Sequence, residues 1–590
     1  MNKKITYFFA IVFISLLSLS GIQAQTPAFP TAEGFGKFST GGRGGQVVEV
    51  TSLADSLVAI PGTLRWALTQ YTGQPITVVF RVSGIIALKG DIRCMRNGIT
   101  LAGQTAPGDG ICIRGGKMNF GGSTNLVFRH IRFRIGLSNG NTGGFLAGGS
   151  LGFENGSSAI FDHCDFGWAA EENITMYDDH YVTVQWCLLH EGLYCAGHEK
   201  GERSYGAQWS GSPATLHHNL IANNVSRSTR FNGSNNALGD RNVLIDYVNN
   251  VNYNWGKTNS CYGGEREAGK YSTHEVNFVG NYYKPGAATP TSGNYFFEQS
   301  AARSGYVLTG PSYWYVSGNV MEGDASGTTD NWTRVHNNTA YPLDSLKSAN
   351  ARIIPATYQI TYTSALEAYN KVLAKVGAFP RDSTDRRIVN EVATKTSSGK
   401  STVARYPSAI TTSVTPPDTT WTANKYFGTT VGIIDQPAGA GGYPTYNTYN
   451  EVVDNDHDGM ADAWELANGL NPTDATDRNK LNATGYTALE VYLNSLVGEI
   501  IDHDFTAAGI NQTVAHKVSF YPTIATDKLT LISDIDLSNA TIYSIDGAKL
   551  LTTSLVNNRL IDVSTLMEGS YLLSVTIKNG EIERFKFLKK

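Results

Sequence analysis

An acidic loop in the carboxyl-terminal third of the chain has the residue spacing of a calcium-binding loop. The pattern D-x-[DN]-x-[DN]-G-x5-E is matched at every defined position, by Asp454, Asp456, Asp458, Gly459 and Glu465. Carboxylate oxygens on alternate residues of a tight turn can surround one hard cation, and the final glutamate can close the site through both oxygens. Asp462 takes the ninth position, where a ligand often acts through water. We therefore expect a calcium site with a structural role.

A second group of chemically capable residues lies between positions 160 and 230. Its carboxylates, two of which could form the acid and base pair of a glycoside hydrolase, are Asp162, Asp165, Glu171 and Glu172. Its cationic side chains are Lys200, Arg203, Arg227 and Arg230. Because the whole chain carries a formal net charge of −4, an anionic substrate would need such a local basic cluster. The same charge argues against a nucleic-acid-binding protein, which would carry a basic excess.

One sequence pattern recurs along the region that must position these residues, from about position 29 to position 320. Short β-branched or aromatic runs alternate with glycine-rich or polar turns, and the runs are 76–80, 99–101, 125–128, 159–161, 182–184, 214–216, 243–245 and 276–278. Each repeat has too little apolar surface to fold alone, so stacked repeats must share one core. Asn219, Asn250 and Asn281 would then stack at the inward bend. The pattern predicts a β-solenoid, while a sandwich or a propeller also fits.

The remainder of the chain differs in character from the repeats. Residues 364–376 predict an amphipathic helix with one apolar face made by Leu366, Tyr369, Val372 and Leu373. The tail from about position 518 predicts a small β domain with strands at 529–531, 540–543 and 571–575. Asp546-Gly547 is a hairpin turn signal between two of these strands.

The first 24 residues have the anatomy of a secretory signal peptide. A basic start, an apolar run over 7–19 and the small-residue sequence Ile22-Gln23-Ala24 follow one another, and the apolar run is too short to span a bilayer. Export makes disulfides permissible for the six cysteines, which are Cys94, Cys112, Cys164, Cys187, Cys195 and Cys261. Buried free thiols are equally consistent with the sequence, and no spacing indicates zinc.

Several ordered stretches of the repetitive region resemble the bacterial pectate lyase family. The stretches are 128–134, 160–164, 168–177, 196–201 and 217–230, and the resemblance covers roughly residues 28–440. It implies a right-handed parallel β-helix and a secreted enzyme that cleaves pectate by calcium-assisted β-elimination. The fold class we expect is all-β, with this solenoid followed by a small calcium-binding loop module and a β-sandwich-like carboxyl-terminal domain.

The resemblance also implies roles for individual residues. It makes Arg227 the base that removes the C5 proton, although arginine generally stays protonated in proteins, so electrostatic clamping of the substrate is the alternative. It makes Lys200, which matches a substrate-binding lysine of the family, the second catalytic candidate. It makes Glu171 and Glu172 calcium ligands, of which we expect one to be strong. The further residues expected to bind substrate are Arg230, His198, Arg203 and Tyr205.

Two positions depart from the family pattern. Thr229 stands where proline is usual, which can alter the turn but leaves Arg227 in place. The family usually carries another acidic ligand thirteen residues before the aspartate of the Asp162-His163 pair, and this chain has Gly149 and Ser150 there. We therefore expect a catalytic calcium site that is incomplete, weaker, or completed by substrate carboxylates.

The carboxyl-terminal part resembles two appendages often fused to such lyases. Residues 454–496 resemble a calcium-loop module, and the tail resembles a type IX secretion sorting domain through Phe520-Tyr521-Pro522 and Gly569-Ser570-Tyr571. The expected domains are a signal peptide 1–24, a catalytic β-helix 25–450, a calcium-loop module 451–500, a linker 501–516 and a sorting domain 517–590. We expect a secreted or surface-attached monomer that meets pectate and the type IX machinery, with no nucleic acid and no transmembrane span.

Two other functions fit the same residues. A glycoside hydrolase of pectic polysaccharide could use the same fold with a pair of the carboxylates named above. A non-catalytic surface protein could bind polysaccharide through aromatic residues and calcium, although Arg227 and the basic cluster around position 200 argue against it.

Overall fold

Three parallel β-sheets, called sheets A, B and C here, make up most of the amino-terminal part of the chain. The structure is a computed structural model that describes residues 25–590 except 73–74, 137–147, 199–200, 232–240, 269–270, 412–417, 450–451, 506–517, 522–523, 534–535, 545–548, 557–558 and 579–581. The predicted signal peptide and Lys200 therefore lie outside the described residues. The chain divides into two compact units, 1–508 and 509–590.

Sheet A has ten strands and sheets B and C have nine each. The strands of sheet A are, in spatial order, Gln46–Val50, Ile76–Phe80, Asn97–Ala102, Thr124–Arg129, Ser157–Asp162, His180–Gln185, Ala214–His217, Arg241–Val248, Tyr271–Val279 and Tyr313–Ser317. The strands of sheet B are Gly84–Ala87, Ile111–Arg114, Ile131–Arg134, Asp165–Gly167, Leu188–His190, Leu220–Ala222, Val251–Tyr253, Tyr282–Lys284 and Val320–Met321. The strands of sheet C are Ile92–Arg93, Met118–Asn119, Leu151–Glu154, Glu172–Tyr177, Tyr205–Trp209, Thr229–Phe231, Cys261–Gly263, Phe297–Gln299 and Val335–Asn337.

The chain visits the three sheets in a fixed rotation of A, B and C, and each circuit is one coil. Every strand pairs in parallel with the strand one coil away, as Ile160 does with Thr183 in sheet A. Inward-facing residues of all three sheets form one continuous apolar core. The protein is therefore a parallel β-helix, which confirms the predicted solenoid, and all eight predicted runs lie in sheet A.

An asparagine ladder runs through the bend between sheets A and B. The backbone N–H of Asn219 donates to Oδ1 of Asn250 at 3.0 Å, and the N–H of Asn250 donates to Oδ1 of Asn281 at 2.9 Å. The ladder continues to Asn319, whose Oδ1 accepts from the N–H of Asn281 at 2.9 Å. These bonds satisfy backbone groups that the turn would otherwise leave buried and unpaired. The predicted stacking of the asparagines is thus found.

Two helices cover the outer face of sheet B, Ala365–Lys375 and Ser383–Thr394. The first agrees with the predicted amphipathic helix and begins after Ser364, whose side chain accepts from the Glu367 N–H. Its buried face is made by Ala365, Ala368 and Val372, while Leu366 is 57% exposed. The predicted face was wrong at Leu366 because the buried face is centred on Ala365, Ala368 and Val372, and Leu366 is two residues from Ala368 and six from Val372, which places it off that face.

The predicted calcium-loop region packs against the first coils. Its helices are Asp462–Ala467 and Ala488–Ser495, and its apolar core includes Val47 and Ala102 of the coils. Arg43 pairs with Glu490 at 2.7 Å across this contact. Ile501 and Phe505, at the start of the predicted linker, are buried in the same core. The remaining helices of the unit are Leu64–Thr69 and Ala325–Thr329.

The second unit is a small β domain of two sheets. One sheet contains Val518–Tyr521, Lys528–Ser533 and Leu560–Asp562, and the other contains Ile524–Ala525, Ile582–Lys589, Gly569–Ile577, Leu537–Ser544 and Lys549–Ser554. All three predicted strands are present. Leu537–Ser544 pairs antiparallel with Lys549–Ser554, as a hairpin requires, while the predicted Asp546-Gly547 turn lies outside the described residues. In the described part of the chain, no helix is both long and apolar enough to cross a membrane.

Candidate active site

The outer face of sheet C carries a row of side chains, one from each coil. In order along the β-helix the row is Arg93, Asn119, Gly152, Thr175, Gln208, Arg230, Tyr262, Glu298 and His336. Flanking residues such as Ile174 and Ala207 point into the core. Because parallel strands keep register and lie about 5 Å apart, the row is a continuous polar strip along the molecule.

Arg227 reaches this strip from the turn that precedes the strand Thr229–Phe231. Its backbone has φ +49°, in the left-handed region, which non-glycine residues adopt rarely and often at functional sites. Its guanidinium donates to Tyr262 Oη at 3.1 Å and to Gln208 Oε1 at 3.0 Å. It also forms an ion pair with Glu172 and lies 4.3 Å from the ring centre of Tyr205. Aromatic, amide and carboxylate groups therefore hold Arg227 on the outer surface, with 22% of its side chain exposed.

Glu171 and Glu172 lie at the start of the strand Glu172–Tyr177, two coils before the strand that follows Arg227, and they differ sharply in exposure. Glu172 is 5% exposed, pairs with Arg227, and accepts from Thr175 Oγ1 at 3.4 Å. Glu171 is 28% exposed and lies 3.9 Å from His198 Nε2. Of the two carboxylates, Glu172 forms the ion pair with Arg227. Neither residue belongs to a cluster of three metal-ligand groups among the described residues.

Arg230 is held differently from Arg227, three residues earlier. It forms a two-pronged ion pair with Glu265, and its side chain is only 8% exposed. Burial alone would lower its pKa, but the Glu265 carboxylate raises it above its usual value. Its guanidinium carbon, Cζ, lies 4.7 Å from the centre of the Tyr262 ring. Arg230 is thus already neutralised by the protein, and its predicted role in substrate binding stays a prediction.

The other predicted substrate-binding residues line the same region. His198 is almost fully buried beside Glu171, and Tyr205 lies under Arg227. Burial raises the pKa of the Tyr205 hydroxyl. Arg203 lies 5.5 Å from the Tyr205 ring and donates to the backbone of Glu202. These contacts bring Arg227, Glu171, Glu172, His198, Arg203 and Tyr205 together, and their roles stay predictions.

Asp162 and Asp165 are enclosed and paired inside the molecule. Asp162 accepts from Arg129 at 2.8 Å and from His163 at 2.9 Å, and Asp165 accepts from Arg134 at 2.8 Å. Both aspartates have zero exposure. Burial alone would raise the pKa of Asp165, but Arg134 and His190 hold it well below its usual range. These carboxylates support the coil and cannot reach a substrate in the groove.

The sequence analysis missed several residues of the groove. Two of them, Gln208 and Tyr262, accept hydrogen bonds from Arg227, and a third, Glu265, pairs with Arg230. These residues lie on other coils, and only an alignment of the coils could have found them.

At the position where the family's acidic ligand is missing, Ser150 donates to the Gly167 carbonyl at 2.9 Å. Lys117 is next to this position, since a methyl group added to Gly152 would lie 3.1 Å from Lys117 Nζ.

The carboxylates of the predicted calcium loop form two neighbouring groups, either of which could bind a metal ion. Asp454, Asp456 and Asp458 form one group and Asp458, Glu465 and Asp477 form another, and within each the ligand oxygens lie within 4.8 Å of one another. Gly459 has φ +99°, which the sharp turn requires. Asp477 was not foreseen, because it lies outside the twelve-residue motif.

The hydrogen bonding of this loop fits a cation. Six buried oxygens of Asp456, Asp458, Glu465 and Asp477 receive no hydrogen bond from any residue that the structure describes. Burial and the neighbouring carboxylates raise the pKa of Asp458 to about 7 and that of Glu465 to about 8. Uncompensated buried carboxylates are costly, and a divalent cation would offset that cost. Asp462 lies outside both groups and accepts instead from the N–H of Asn455 at 2.8 Å.

The chain is similar in sequence to known proteins over most of its length. The chain is 30% identical over 494 residues to the probable pectate lyase C of Aspergillus fumigatus, covering 83% of this chain and 98% of that protein. It is 28% identical over 496 residues to the probable pectate lyase C of Emericella nidulans, covering 82% and 96%. The crystal structure of Jun a 1, the major cedar pollen allergen, matches with 15% identity and a TM-score of 0.40, over 59% of this chain and 92% of that one.

The tail has its own match. Residues 519–589 match the family model of the secretion system C-terminal sorting domain, so the protein is secreted or attached to the cell surface. The match to the fungal proteins extends over nearly their whole length. The chain therefore belongs to the pectate lyase family of polysaccharide lyases, and a carboxyl-terminal sorting domain is joined to its β-helix.

Proposed function

We propose that the protein cleaves pectate by calcium-assisted β-elimination in the groove on sheet C, with Arg227 at the reacting centre. The observation that carries this proposal is the position of Arg227, which aromatic and polar residues of three coils hold on an outer, polar strip. The strip runs across successive coils, so it suits a linear polymer rather than a compact ligand. The family of the chain supports the same reaction.

The reaction removes the C5 proton next to the substrate carboxylate and breaks the bond from C4 to the glycosidic oxygen. A double bond forms between C4 and C5, and the leaving oxygen takes a proton, so no water is consumed. Arg227 faces this step either as the proton acceptor that the family resemblance implies or as a cation beside the developing charge. In the free protein its guanidinium forms an ion pair with the Glu172 carboxylate.

Glu171 and Glu172 are the residues that would hold calcium beside the substrate. When bound, calcium offsets the charge of the substrate carboxylate and so makes the C5 proton easier to remove. Two protein carboxylates leave most of the coordination sphere open, and the carboxylates of pectate are suitable oxygen ligands. Glu172 already neutralises Arg227, so cation binding and this ion pair compete for the same oxygens.

A second, structural calcium site is proposed at the loop that contains Asp456, Asp458, Glu465 and Asp477. The unpartnered buried oxygens of this loop support it. The site lies in the region that packs against the first coils, through Val47 and Ala102, and not on the strip of sheet C. Its calcium would therefore stabilise the fold rather than take part in the chemistry.

The two rival functions find less support in the same geometry. A glycoside hydrolase needs an acid and a second carboxylate on opposite sides of the scissile bond. Asp162 and Asp165 are enclosed, and Glu172 is paired with Arg227, so none of these three is placed to act as the second carboxylate of a hydrolase. A protein that only binds polysaccharide has no need for an arginine that residues of three coils hold beside the strip.

The decisive measurement is an ultraviolet assay on polygalacturonate with calcium and with a chelator. We expect wild type to form an unsaturated, ultraviolet-absorbing product only with calcium, and Arg227→Ala to lose at least about a thousandfold in kcat. Arg303→Ala is a matched control, since Arg303 also pairs with a buried glutamate, Glu267 at 2.6 Å. New reducing ends without ultraviolet absorbance would indicate a hydrolase, and an unchanged kcat in Arg227→Ala would remove that residue from the mechanism.

A further inference from the structure

A large groove lies on a different face of the β-helix, along the bend between sheets A and B. Its volume is about 1350 Å³, and its floor is made by the residues that end the sheet A strands of four successive coils. Its walls are formed by residues 30–33, the end of the helix Ala365–Lys375, the turn 377–381 and residues 496–499. Sheet B and the bend separate this groove from the strip on sheet C.

The floor is a stack of four flat rings, from His130, His163, Trp186 and His218. Each residue has φ between +50° and +57°, because each occupies the same left-handed position of the bend. The ring centres lie 5.1, 6.1 and 4.4 Å apart, with interplanar angles of 21°, 13° and 21°. Because the rings stack face to face, it is their edges that line the groove. Each coil contributes one ring edge, and the four edges together span about 15 Å.

The ring edges offer both a donor and an acceptor. His130 Nδ1 accepts from the Phe379 N–H at 3.1 Å, so its Nε2 carries the proton. This Nε2 is buried, and no described residue accepts a hydrogen bond from it. His130 as a whole is 3% exposed. His163 donates through Nδ1 to Asp162 at 2.9 Å, which leaves its Nε2 as an acceptor in the neutral ring. Burial holds the pKa of His130 well below its usual value, so that ring is neutral.

These assignments also exclude a metal at His130, Asp162 and His163, whose ligand atoms lie close together. Nε2 of His130 bears a proton rather than a lone pair. Both oxygens of Asp162 already accept hydrogen bonds. Oδ2 accepts from Arg129, and Oδ1 accepts from Gln185 and His163. The ring edges therefore offer hydrogen-bond partners suited to hydroxyl groups rather than ligands for a cation.

Three cationic side chains of the walls are not neutralised by the protein. Five cationic and two anionic side chains line the groove; Arg129 pairs with Asp162 and Glu499, Lys371 pairs with Glu367, and Glu33 accepts from Thr361. Among the described residues, no carboxylate forms an ion pair with Lys375, Arg381 or Arg386. Lys375 Nζ lies 5.6 Å from the centre of the Trp186 ring, directly beside the floor.

Arg381 adds a fixed donor to this wall. Its guanidinium caps the preceding helix by donating to the carbonyls of Val376 and Leu373 at 2.9 and 2.8 Å. Its remaining nitrogen, Nη2, is buried and has no acceptor among the residues described. A chain that carries a carboxylate and hydroxyl groups on each unit would satisfy Arg381 and Lys375 together with the ring edges.

We propose that this groove is a second, non-catalytic binding site for a uronate-bearing oligosaccharide. The ligand class rests on the proposed function, but none of the groove residues belongs to the site on sheet C. A polymer chain held here would keep the enzyme on its substrate between cleavage events. Its binding is expected to weaken with salt, because exposed cations contribute much of it.

The test uses the full chain with Arg227→Ala, so that the polymer stays intact, and measures retardation in gels that contain polygalacturonate. Replacing Lys375 and Arg386 by glutamine removes two exposed charges. We expect a loss of about tenfold in the retardation constant, as for the loss of one or two charge-assisted hydrogen bonds. In the catalytically intact chain, kcat and KM on trigalacturonate should stay within twofold, while KM on the polymer rises.

Replacing Lys347 and Lys395 by glutamine is the matched control, because it removes the same charge from exposed sites outside both grooves. Unchanged retardation in the Lys375 and Arg386 variant would overturn the proposal. An equal loss in the control, or an equal loss in gels that contain dextran sulfate, would indicate a general charge effect and would overturn it too. Failure of the proposed function would be seen separately, as a wild type that forms no ultraviolet-absorbing product.

Discussion

At the scale of single residues, the groove on sheet C is defined by two arginines with different partners. Arg227 is partly exposed against Glu172, whereas Arg230 is enclosed against Glu265. The sequence could indicate Arg227 and Glu172 through a family resemblance. It could not indicate Glu265, because the pairing depends on which residues of different coils share a register, and the coil lengths vary.

Asp246 offers a test of a buried charge at the same scale. It has zero exposure, accepts from Asn277 at 3.1 Å, and has no cationic partner among the described residues. Burial raises its pKa to about 6 from 3.8. Because the folded protein holds this proton more tightly than the unfolded chain, the free energy of unfolding is greatest at a pH below 3.8, the pKa of Asp246 in the unfolded chain. It falls as the pH rises through about 6, the pKa in the folded protein, and the total loss is about 3 kcal/mol.

We therefore expect Asp246→Asn to be more stable than wild type at pH 8 and equal to it at pH 4. Urea unfolding at several pH values, followed by circular dichroism, measures the difference. Asp344→Asn is the control, because Asp344 is 86% exposed. A gain for Asp246→Asn that is the same at pH 4 and pH 8 would contradict the titration argument.

At the scale of elements, the sequence indicated strands of sheet A and missed the strands of sheets B and C. All eight predicted runs belong to sheet A, whose strands have four to nine residues. Strands of sheets B and C often have only two or three, too few to show alternation. Arg132 and Arg134 make one sheet B strand look polar, yet both are fully buried against Asp382 and Asp385 of the covering helix. That network depends on distant chain segments and has no local signal.

The asparagine ladder makes a prediction at this scale. Asn250 accepts from the Asn219 N–H and donates to the Leu216 carbonyl at 2.9 Å. Asn250→Ala would leave both groups buried without partners, so we expect a loss of about 3 kcal/mol in the free energy of unfolding. Asn390→Ala, on the exposed face of a helix, should change it by less than about 0.5 kcal/mol. Equal urea midpoints for the two variants would refute the assigned role of the ladder.

At the scale of the whole molecule, the calcium loop is joined to the early coils by ion pairs. Arg81 pairs with Asp454 of the loop, and it also contacts Glu49 of the first strand at 2.6 Å. Arg129 links Asp162 of the coils to Glu499 at 2.5 Å. The loop motif was read from the sequence, but its attachment to the solenoid was not, since the partners are hundreds of residues apart.

Removal of calcium should therefore destabilise the β-helix and not only the loop. At a hundredfold excess over its Kd, one bound ion contributes about 3 kcal/mol, so a chelator should lower the Tm of wild type by several degrees. Asp458→Asn should have a lower Tm in calcium and little further response to the chelator. Calorimetry with and without calcium measures both. A full response to the chelator in Asp458→Asn would place the stabilising ion elsewhere.

The six cysteines have a consequence for how this exported protein matures. All six are free and buried, and burial raises the pKa of Cys94, Cys112 and Cys261 to about 12. Thiols kept protonated and away from solvent react slowly with oxidants. Cys164 and Cys187 instead continue the line of the asparagine ladder, with the Cys164 N–H 3.4 Å from the Cys187 sulfur. The coils are thus closed without covalent cross-links, so neither a thiol oxidase nor a disulfide isomerase is needed to reach the native state, and reducing surroundings leave it intact.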